Sequence, residues 1–263
     1  MTSGKQSKAQ RRAESQRRAA EKRAAELRKQ RMRVATRVGG IVVALVAVVL
    51  IVVVATSGSN TVNPATTNPH VPTVAIPASM TLVPAPKTTL GPEQIPVPSG
   101  AKLATLINAG SGQTIDGIQC QTSEKTVTHV HTHLTVFVNG QPRVIPYGIG
   151  IPGAQAEAVQ GGPYVSTGSC FYWLHTHAND GIIHIESPST SEGFTLGQFF
   201  DIWGQPLSTT QVGPATGPVT VFFNGKLFKG NPRDLPLGNH YQIQLDVGTP
   251  IVAPVNITNW AQL

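Results

Sequence analysis

The sequence predicts a mainly β fold, a single sandwich or partly open barrel with one short helix, preceded by a single transmembrane helix. One uncharged aliphatic run stands near the N-terminus, and alternating apolar runs separated by turn signals fill residues 101–263. Only 13% of the 263 residues are charged, whereas an ordinary soluble domain has about 25%. With 26 glycines and 21 prolines, this composition excludes a long coiled coil, a multi-pass transporter and a dense disulfide scaffold.

The N-terminal tail carries most of the positive charge. Residues 1–37 hold 13 of the 20 Lys and Arg residues and 3 acidic residues, so the rest of the chain has a net charge of −3. A nucleic-acid-binding domain would carry its basic patch on the folded part, and we therefore expect no nucleic-acid partner. Because basic residues beside a span stay on the cytoplasmic side, we predict a basic cytoplasmic tail against the inner leaflet.

Residues 38–55 are uncharged and mostly aliphatic throughout. Their number is close to the roughly 20 residues that cross a bilayer as a helix. A cleaved signal peptide is the alternative, but the preceding tail is longer than a usual n-region and no clear A-x-A cleavage site follows. We predict an uncleaved, single-pass signal anchor in the cell membrane, with the N-terminus cytoplasmic and the C-terminal domain extracytoplasmic.

Residues 56–100 contain nine prolines separated mainly by Thr, Ser, Asn and Val. Proline fixes φ and lacks a backbone donor, so such a segment does not form the interior of a sheet. The pattern predicts an extended, semi-rigid Pro/Thr-rich linker outside the membrane.

Residues 101–263 read as the β-rich ectodomain. Asn139-Gly140 and Asn224-Gly225 each separate two apolar runs, which is the strongest short-range signal for a hairpin. Tyr241–Val247 alternates apolar and polar residues, as a half-buried strand does. A single helix is expected over Leu196–Trp203, with Thr195 as its N-cap.

Both cysteines, Cys120 and Cys170, lie in the predicted ectodomain. An oxidising compartment makes a disulfide between them the default. Metal ligation is the other interpretation, but Cys170 would point away from the histidines that follow it on the same strand.

Six of the eight histidines fall in two short segments, His129–His133 and Leu174–Glu186. Alternate residues of a strand share a face. The histidines of the first segment therefore point to one side of the sheet, and its apolar residues point to the other. In the second segment the same alternation puts three histidines and a glutamate on one face.

The loop between the two halves of the second segment decides which side chains meet. A two-residue loop at Asp180-Gly181 would place His177 opposite His184 and His175 opposite Glu186. A four-residue loop would place His175 opposite His184. Both registers gather the histidines into one patch, while a three-residue loop would separate them.

Converging neutral imidazoles are typical of a transition-metal site, because histidine is the commonest metal ligand. The three methionines lie outside the ectodomain, which disfavours Cu(I) and favours zinc or copper(II), with iron or nickel also compatible. We expect a membrane-anchored, extracytoplasmic domain that binds a divalent transition metal for handling or structure. The predicted ligands are His131, His133, His175, His177 and His184, with His129 and Glu186 as additional ligands.

Three alternatives to this interpretation stay open. The first is a metalloenzyme in which Glu186 is the catalytic base beside the metal. The second is a proton-gated histidine cluster that titrates near pH 6. The third is a metal-free envelope interaction module, which the Pro/Thr-rich linker favours. Within such a module the histidines of the first segment could simply form a solvated strand face. The sequence does not identify a protein partner.

The motifs HVHTHLTVFVNG over 129–140, LHTHANDGIIHIE over 174–186 and FTLGQFFDIW over 194–203 resemble a group of uncharacterised bacterial secreted or membrane-anchored proteins. The similarity covers roughly residues 100–250. No activity is attached to that group, so the resemblance assigns no function, substrate, cofactor or site residue.

Overall fold

A computed structural model of the chain describes residues 71–106, 110–191, 193–260 and 263. All of them belong to one of two compact units of the chain, Thr67–Leu263. The predicted cytoplasmic tail and signal anchor, residues 1–37 and 38–55, lie outside the described residues. No helix in the described ranges combines the length and apolarity that crossing a bilayer requires.

Short strands dominate the described residues. They are accompanied by one α-helix, α1 (Leu196–Trp203), and one 3₁₀ turn (Pro232–Asp234). The strands are β1 Thr73–Val74, β2 Leu82–Val83, β3 Thr88–Leu90, β4 Pro96–Pro98, β5 Ala101–Lys102, β6 Cys120–Gln121, β7 Thr128–Val138, β8 Gln141–Val144, β9 Gln155–Val159, β10 Gly162–Thr167, β11 Phe171–Tyr172, β12 Leu174–His175, β13 Ile182–Ser187, β14 Phe194–Thr195, β15 Leu207–Ser208, β16 Gln211–Val212, β17 Ala215–Thr216, β18 Val219–Phe223, β19 Lys226–Phe228, β20 Pro236–Leu237, β21 Tyr241–Val247 and β22 Ile251–Val252. The predicted mainly β fold with one short helix is confirmed.

The largest sheet has nine strands and carries the histidines. Its main order is β1-β19-β18-β21-β7-β13-β12, with β8 beside β7 and β5 beside β8. Strand β7 is antiparallel to β13 and β8 and parallel to β21. The order is open, and the strands that the structure describes do not close into a barrel.

Both predicted Asn-Gly turns are confirmed. Asn139 and Gly140 have φ values of 51° and 73°, and Asn224 and Gly225 have 48° and 74°. The strands on either side of each turn pair directly. Two consecutive residues with positive φ match the right-handed twist of a hairpin, which is why asparagine and glycine occupy these positions.

Helix α1 begins and ends where the sequence predicts. The Thr195 hydroxyl accepts from the N–H of Gln198, and the Gln198 side chain accepts in return from the N–H of Thr195, which completes a capping box. Gly204 ends the helix in the left-handed region at φ 72°. Phe199 and Trp203 are fully buried in the main core, so the helix packs its apolar stripe against the sheet.

The alternation along β7 separates an apolar face from a polar one. Leu134 and Val136 are buried in the main core, and Val130 and Val138 pack against it. Ile185 of β13 belongs to the same core. The opposite face of these two strands is the one that carries the histidines.

The segment assigned to the linker differs from the sequence-based expectation over residues 71–100. Strand β1 pairs with β19, β2 pairs with β22, and β3 and β4 pair with each other. Ile95 is fully buried in a small apolar cluster with Ile182 and Ile257. The prolines are compatible with this arrangement because the strands are two or three residues long and do not lie in the interior of the main sheet.

Candidate metal centre

Three neighbouring strands place histidines in one row across the sheet. His175 on β12 pairs with His184 on β13, and His184 pairs in turn with His131 on β7. Two residues further along β13, Glu186 pairs with His129. Because directly paired residues point to the same face, these side chains converge.

The pairing across the row is the one predicted for a four-residue loop, although six residues, 176–181, separate β12 from β13. His175 pairs with His184, so the register with a two-residue Asp180-Gly181 loop is wrong. The reason is that residues 176–178, which follow β12, no longer pair with β13 and turn toward β10. The N–H of Val165 on β10 donates to the carbonyl oxygen of His177 at 2.9 Å.

His175 and His177 form the most constrained pair of the site. The Nδ1–H of His175 donates to the carbonyl oxygen of Tyr172 at 2.8 Å, and the Nδ1–H of His177 donates to that of Val165 at 2.5 Å. A carbonyl oxygen only accepts, so both rings hold their proton on Nδ1. The two Nε2 atoms lie 3.1 Å apart and face each other with their lone pairs.

A proton does not readily settle between these two nitrogens. Burial, followed by the repulsion of neighbouring histidines, lowers the pKa of His175 well below its ordinary value and also lowers that of His177. The neutral Nε2 atoms of His175 and His177 are both acceptors, so neither can donate a hydrogen bond to the other. A buried acceptor without a donor is unfavourable. A metal cation satisfies both lone pairs at once, and ligand histidines commonly donate their second N–H to a carbonyl in this way.

His184 stands at the centre of the row. Its Nε2 lies 2.7 Å from Oε1 of Glu93, and its Nδ1 lies 3.2 Å from Nε2 of His131 and 3.6 Å from Oε1 of Glu186. Burial opposes a charge on His184, but the hydrogen bonds of Glu186 and Glu93 outweigh it and raise the pKa to about 9. Without a metal ion, the ring is therefore a cation at neutral pH.

The potential ligands form two overlapping groups. His175, His177, His184 and Glu186 present ligand atoms that all lie within 4.8 Å of one another. His129, His131 and His184 form a second group under the same limit. His129 is 45% exposed, with its Nε2 3.1 Å from Oε1 of Glu186, and the other members are buried. Burial is the first cause that lowers the pKa of His131, to about 3, so the ring is neutral at neutral pH. Its Nε2 then accepts from the Nδ1–H of the protonated His184 at 3.2 Å.

His133 is not brought into either group. Its Nε2–H donates to the carbonyl oxygen of Asp180 at 2.9 Å, and its Nδ1 accepts from the Thr135 hydroxyl at 3.2 Å. Burial lowers the pKa of His133 to about 4. Both ring nitrogens already have protein partners, so this residue supports the loop and does not offer a ligand atom.

Two carboxylates of the site were not predicted from the sequence. Glu93, from the proline-rich segment, is 6% exposed and contacts His184, and Glu124 Oε1 lies 3.4 Å from Nε2 of His177. Glu93 is the single acidic residue of segment 56–100, which was the one available signal. Its backbone N–H donates to Oδ2 of Asp180 at 3.1 Å and so fixes the segment over the cluster.

The cluster opens into a cavity of about 370 Å³. Tyr164 stacks on the ring of His177, with centroids 5.2 Å apart, and lines the cavity together with Ser166. Among the described residues, the buried Oε2 atoms of Glu93 and Glu186 have no hydrogen-bond partner. Buried carboxylate oxygens without a partner need an explanation, and a bound cation supplies one.

The predicted disulfide between Cys120 and Cys170 is confirmed. Cys120 lies on β6, which pairs with β11, and Cys170 directly precedes β11. Neither cysteine belongs to a potential metal group. The bond therefore fixes the segment that leads into His175 and is a structural cross-link.

If the cluster holds zinc through His184, replacing Glu93→Gln should weaken zinc affinity by roughly tenfold to a hundredfold, as the loss of a carboxylate that orients a ligand histidine typically does. The amide oxygen of the variant would still accept a hydrogen bond from His184, but it would no longer stabilise positive charge there. Competition with a chromogenic chelator measures the change. The matched control is Asp234→Asn, an exposed carboxylate-to-amide change outside both groups. Equal zinc affinities of the parent and the Glu93→Gln variant would contradict the role given to Glu93.

No protein-family model, no curated protein and no solved structure matches the chain.

Proposed function

We propose that the domain binds a divalent transition-metal ion through this histidine cluster. The observation that carries the proposal is the 3.1 Å separation of the Nε2 atoms of His175 and His177, with both Nδ1 protons donated to backbone carbonyls. Ligand atoms around a tetrahedral ion at 2.0–2.1 Å are separated by about 3.3 Å. The pair is thus held in advance at nearly the spacing that an ion needs.

The surroundings supply what a metal ion requires beyond its ligands. Glu93 accepts from His184 and leaves Nδ1 of that ring directed at the cluster, in the carboxylate–histidine–metal arrangement. Glu186 contributes a second buried negative charge. Imidazole and carboxylate ligands without a thiolate or thioether favour zinc or copper(II), and they are compatible with iron or nickel.

We place this activity outside the cytoplasm, on a single-pass membrane anchor whose N-terminus is cytoplasmic. The disulfide supports an oxidising compartment, and the basic tail followed by an aliphatic run supports the anchor and its orientation. In this location the domain would handle or store the ion at the cell envelope, or use it as a structural cross-link.

The direct test is elemental analysis of the full chain, purified in detergent after zinc or copper loading and dialysis. We expect at least one ion per chain, and the loss of at least one ion in the triple variant His175→Ala/His177→Ala/His184→Ala. His240→Ala is the control, because that ring stacks on Trp260 outside both groups. A folded parent that retains no ion would overturn the proposal and leave the metal-free interaction module.

Metal binding should release about one proton per chain near pH 7.5. In the metal-free protein His184 carries that proton, since its pKa is raised to about 9, and an ion on Nδ1 must displace it. The release should persist through the range between 6.5 and 9 and disappear above it. Calorimetric titration in two buffers of different ionisation enthalpy measures the proton count, and a count of zero would contradict ligation by His184.

A metalloenzyme is the second candidate, and the cavity with the unpartnered Oε2 of Glu186 favours it. A divalent ion held by imidazoles supplies Lewis-acid chemistry to water. Glu186 would then hold or accept a proton as the base. The substrate would enter the cavity beside Tyr164 and Ser166.

If the enzyme candidate is right, Glu186→Gln should lower hydrolysis of p-nitrophenyl acetate or phosphate by about 10²–10⁴-fold. The variant should still retain the ion held by His175 and His177. Initial rates normalised to metal content measure the effect. No metal-dependent hydrolysis in the parent, or an unchanged rate in the variant, would contradict catalysis while leaving metal binding intact.

A further inference from the structure

The cluster offers more ligand atoms than one ion can use. Five histidines and Glu186 fall into two groups that share only His184. A tetrahedral or five-coordinate ion takes four or five ligands at about 2.0–2.2 Å, so the atoms it binds lie within roughly 4.4 Å of one another. In neither group, each with its ligand atoms within 4.8 Å of one another, do all six residues occur together.

We propose that the cluster holds two metal ions side by side, with Glu186 between them. This inference rests on the proposed function and gives its stoichiometry. His175, His177 and His184 bind the first ion, and His129 and His131 bind the second. Paired metal ions in proteins lie about 3.5–4 Å apart, a spacing that one carboxylate bridges.

Glu186 is placed to contact both ions. Its Oε1 lies 3.1 Å from Nε2 of His129 and 3.6 Å from Nδ1 of His184, so it touches a member of each set. It also belongs to the group that contains His175 and His177. Its Oε2 is buried without a hydrogen-bond partner among the described residues, which leaves a second oxygen for a second ion.

The pairing of β7 with β13 also supports a site for the second ion at His129 and His131. Glu186 pairs with His129 and His184 pairs with His131, both directly across the same two strands. His131 and His129 present their rings edge to face, with centroids 4.8 Å apart. The two rings therefore flank the outer side of Glu186, opposite the His175–His177 pair.

Charge is consistent with two ions. Three carboxylates, Glu93, Glu124 and Glu186, line one cavity. One divalent ion leaves the three carboxylates with a net charge of −1, and two leave a net charge of +1 that one anion from solvent or substrate would match. The charge therefore allows either number of ions, and the geometry of Glu186 favours two.

The stoichiometry can be counted on the full chain in detergent. Equilibrium dialysis against zinc should give two ions per chain in the parent. The variants His129→Ala/His131→Ala and His175→Ala/His177→Ala should each retain one ion, and His240→Ala should retain two. One ion in the parent would overturn the two-ion arrangement and leave the proposed function standing, whereas no ion would overturn both.

A spectroscopic measurement on the parent detects the second ion without relying on a variant alone. After loading with two equivalents of Cu(II), spins on adjacent ions couple, and the integrated paramagnetic resonance signal should fall well below two spins per chain. The His129→Ala/His131→Ala variant should instead give one full spin from its single ion. Two uncoupled spins in the parent, or two ions that persist in both pair variants, would overturn the inference.

Discussion

Saturating zinc should raise the thermal midpoint of unfolding by roughly 8–16 °C. An ion that binds only the folded state, at about a thousandfold excess over its Kd, stabilises that state by about 4 kcal/mol. For a domain of about 150–250 residues, each kcal/mol shifts the midpoint by roughly 2–4 °C. The effect is large because the ligands come from β7, β12 and β13 together with the segment after β12, and an ion holds these segments to one another.

The zinc-dependent shift should be much smaller in His175→Ala/His177→Ala than in the parent. His133→Ala is the matched control, because His133 is equally buried on the same sheet but bonds to Asp180 and Thr135 and belongs to neither metal group. Its substitution should lower the midpoint without zinc and leave the zinc-dependent increase unchanged. Differential scanning calorimetry of each chain with zinc and with a chelator measures both quantities. An equal zinc shift in the double variant would contradict ligation by this pair.

Much of the site follows from the period of two along a strand. His129, His131, His184 and Glu186 occupy alternate positions of β7 and β13, so the sequence alone predicts that they share a face. Local turn chemistry likewise predicted both Asn-Gly hairpins. These features are predictable because each depends on residues that are near one another in the chain.

The position of His133 shows that strand alternation alone does not predict which histidines join the site. It shares a face with His131, yet it pairs with Ile182 at the end of β13. There the chain turns back, and the carbonyl oxygen of Asp180 meets the His133 ring. Which histidines belong to the candidate metal groups thus depends on where each strand ends, and contacts of residues 176–178 with β10 determine that point.

Glu93 was beyond local sequence reasoning for a related cause. It lies 91 positions before His184, in a segment whose prolines predict a spacer. Its position depends on the burial of Ile95 against Ile182 and Ile257 and on the bond from its N–H to Asp180. Such contacts are tertiary, and no periodicity in the segment encodes them.

Removing the disulfide by Cys120→Ser/Cys170→Ser should lower the free energy of unfolding by about 4 kcal/mol. The bond joins positions 50 residues apart, and the loss of loop-closure entropy in the unfolded chain accounts for that amount in the chain-entropy model. Denaturant titration of parent and variant with a chelator present measures the difference. An unchanged free energy of unfolding would contradict a stabilising role for this cross-link.

Zinc and the disulfide should stabilise the domain additively. The disulfide acts on the unfolded chain, whereas the ion binds the folded state, so the zinc-dependent gain in the Cys120→Ser/Cys170→Ser variant should equal that of the parent within about 0.5 kcal/mol. A smaller gain in the variant would mean that the zinc Kd had risen. In that case the cross-link would also position His175, which lies five residues after Cys170. Additive effects would mean that the disulfide acts only on the entropy of the unfolded chain, whereas a smaller zinc-dependent gain would mean that it also holds a ligand in place.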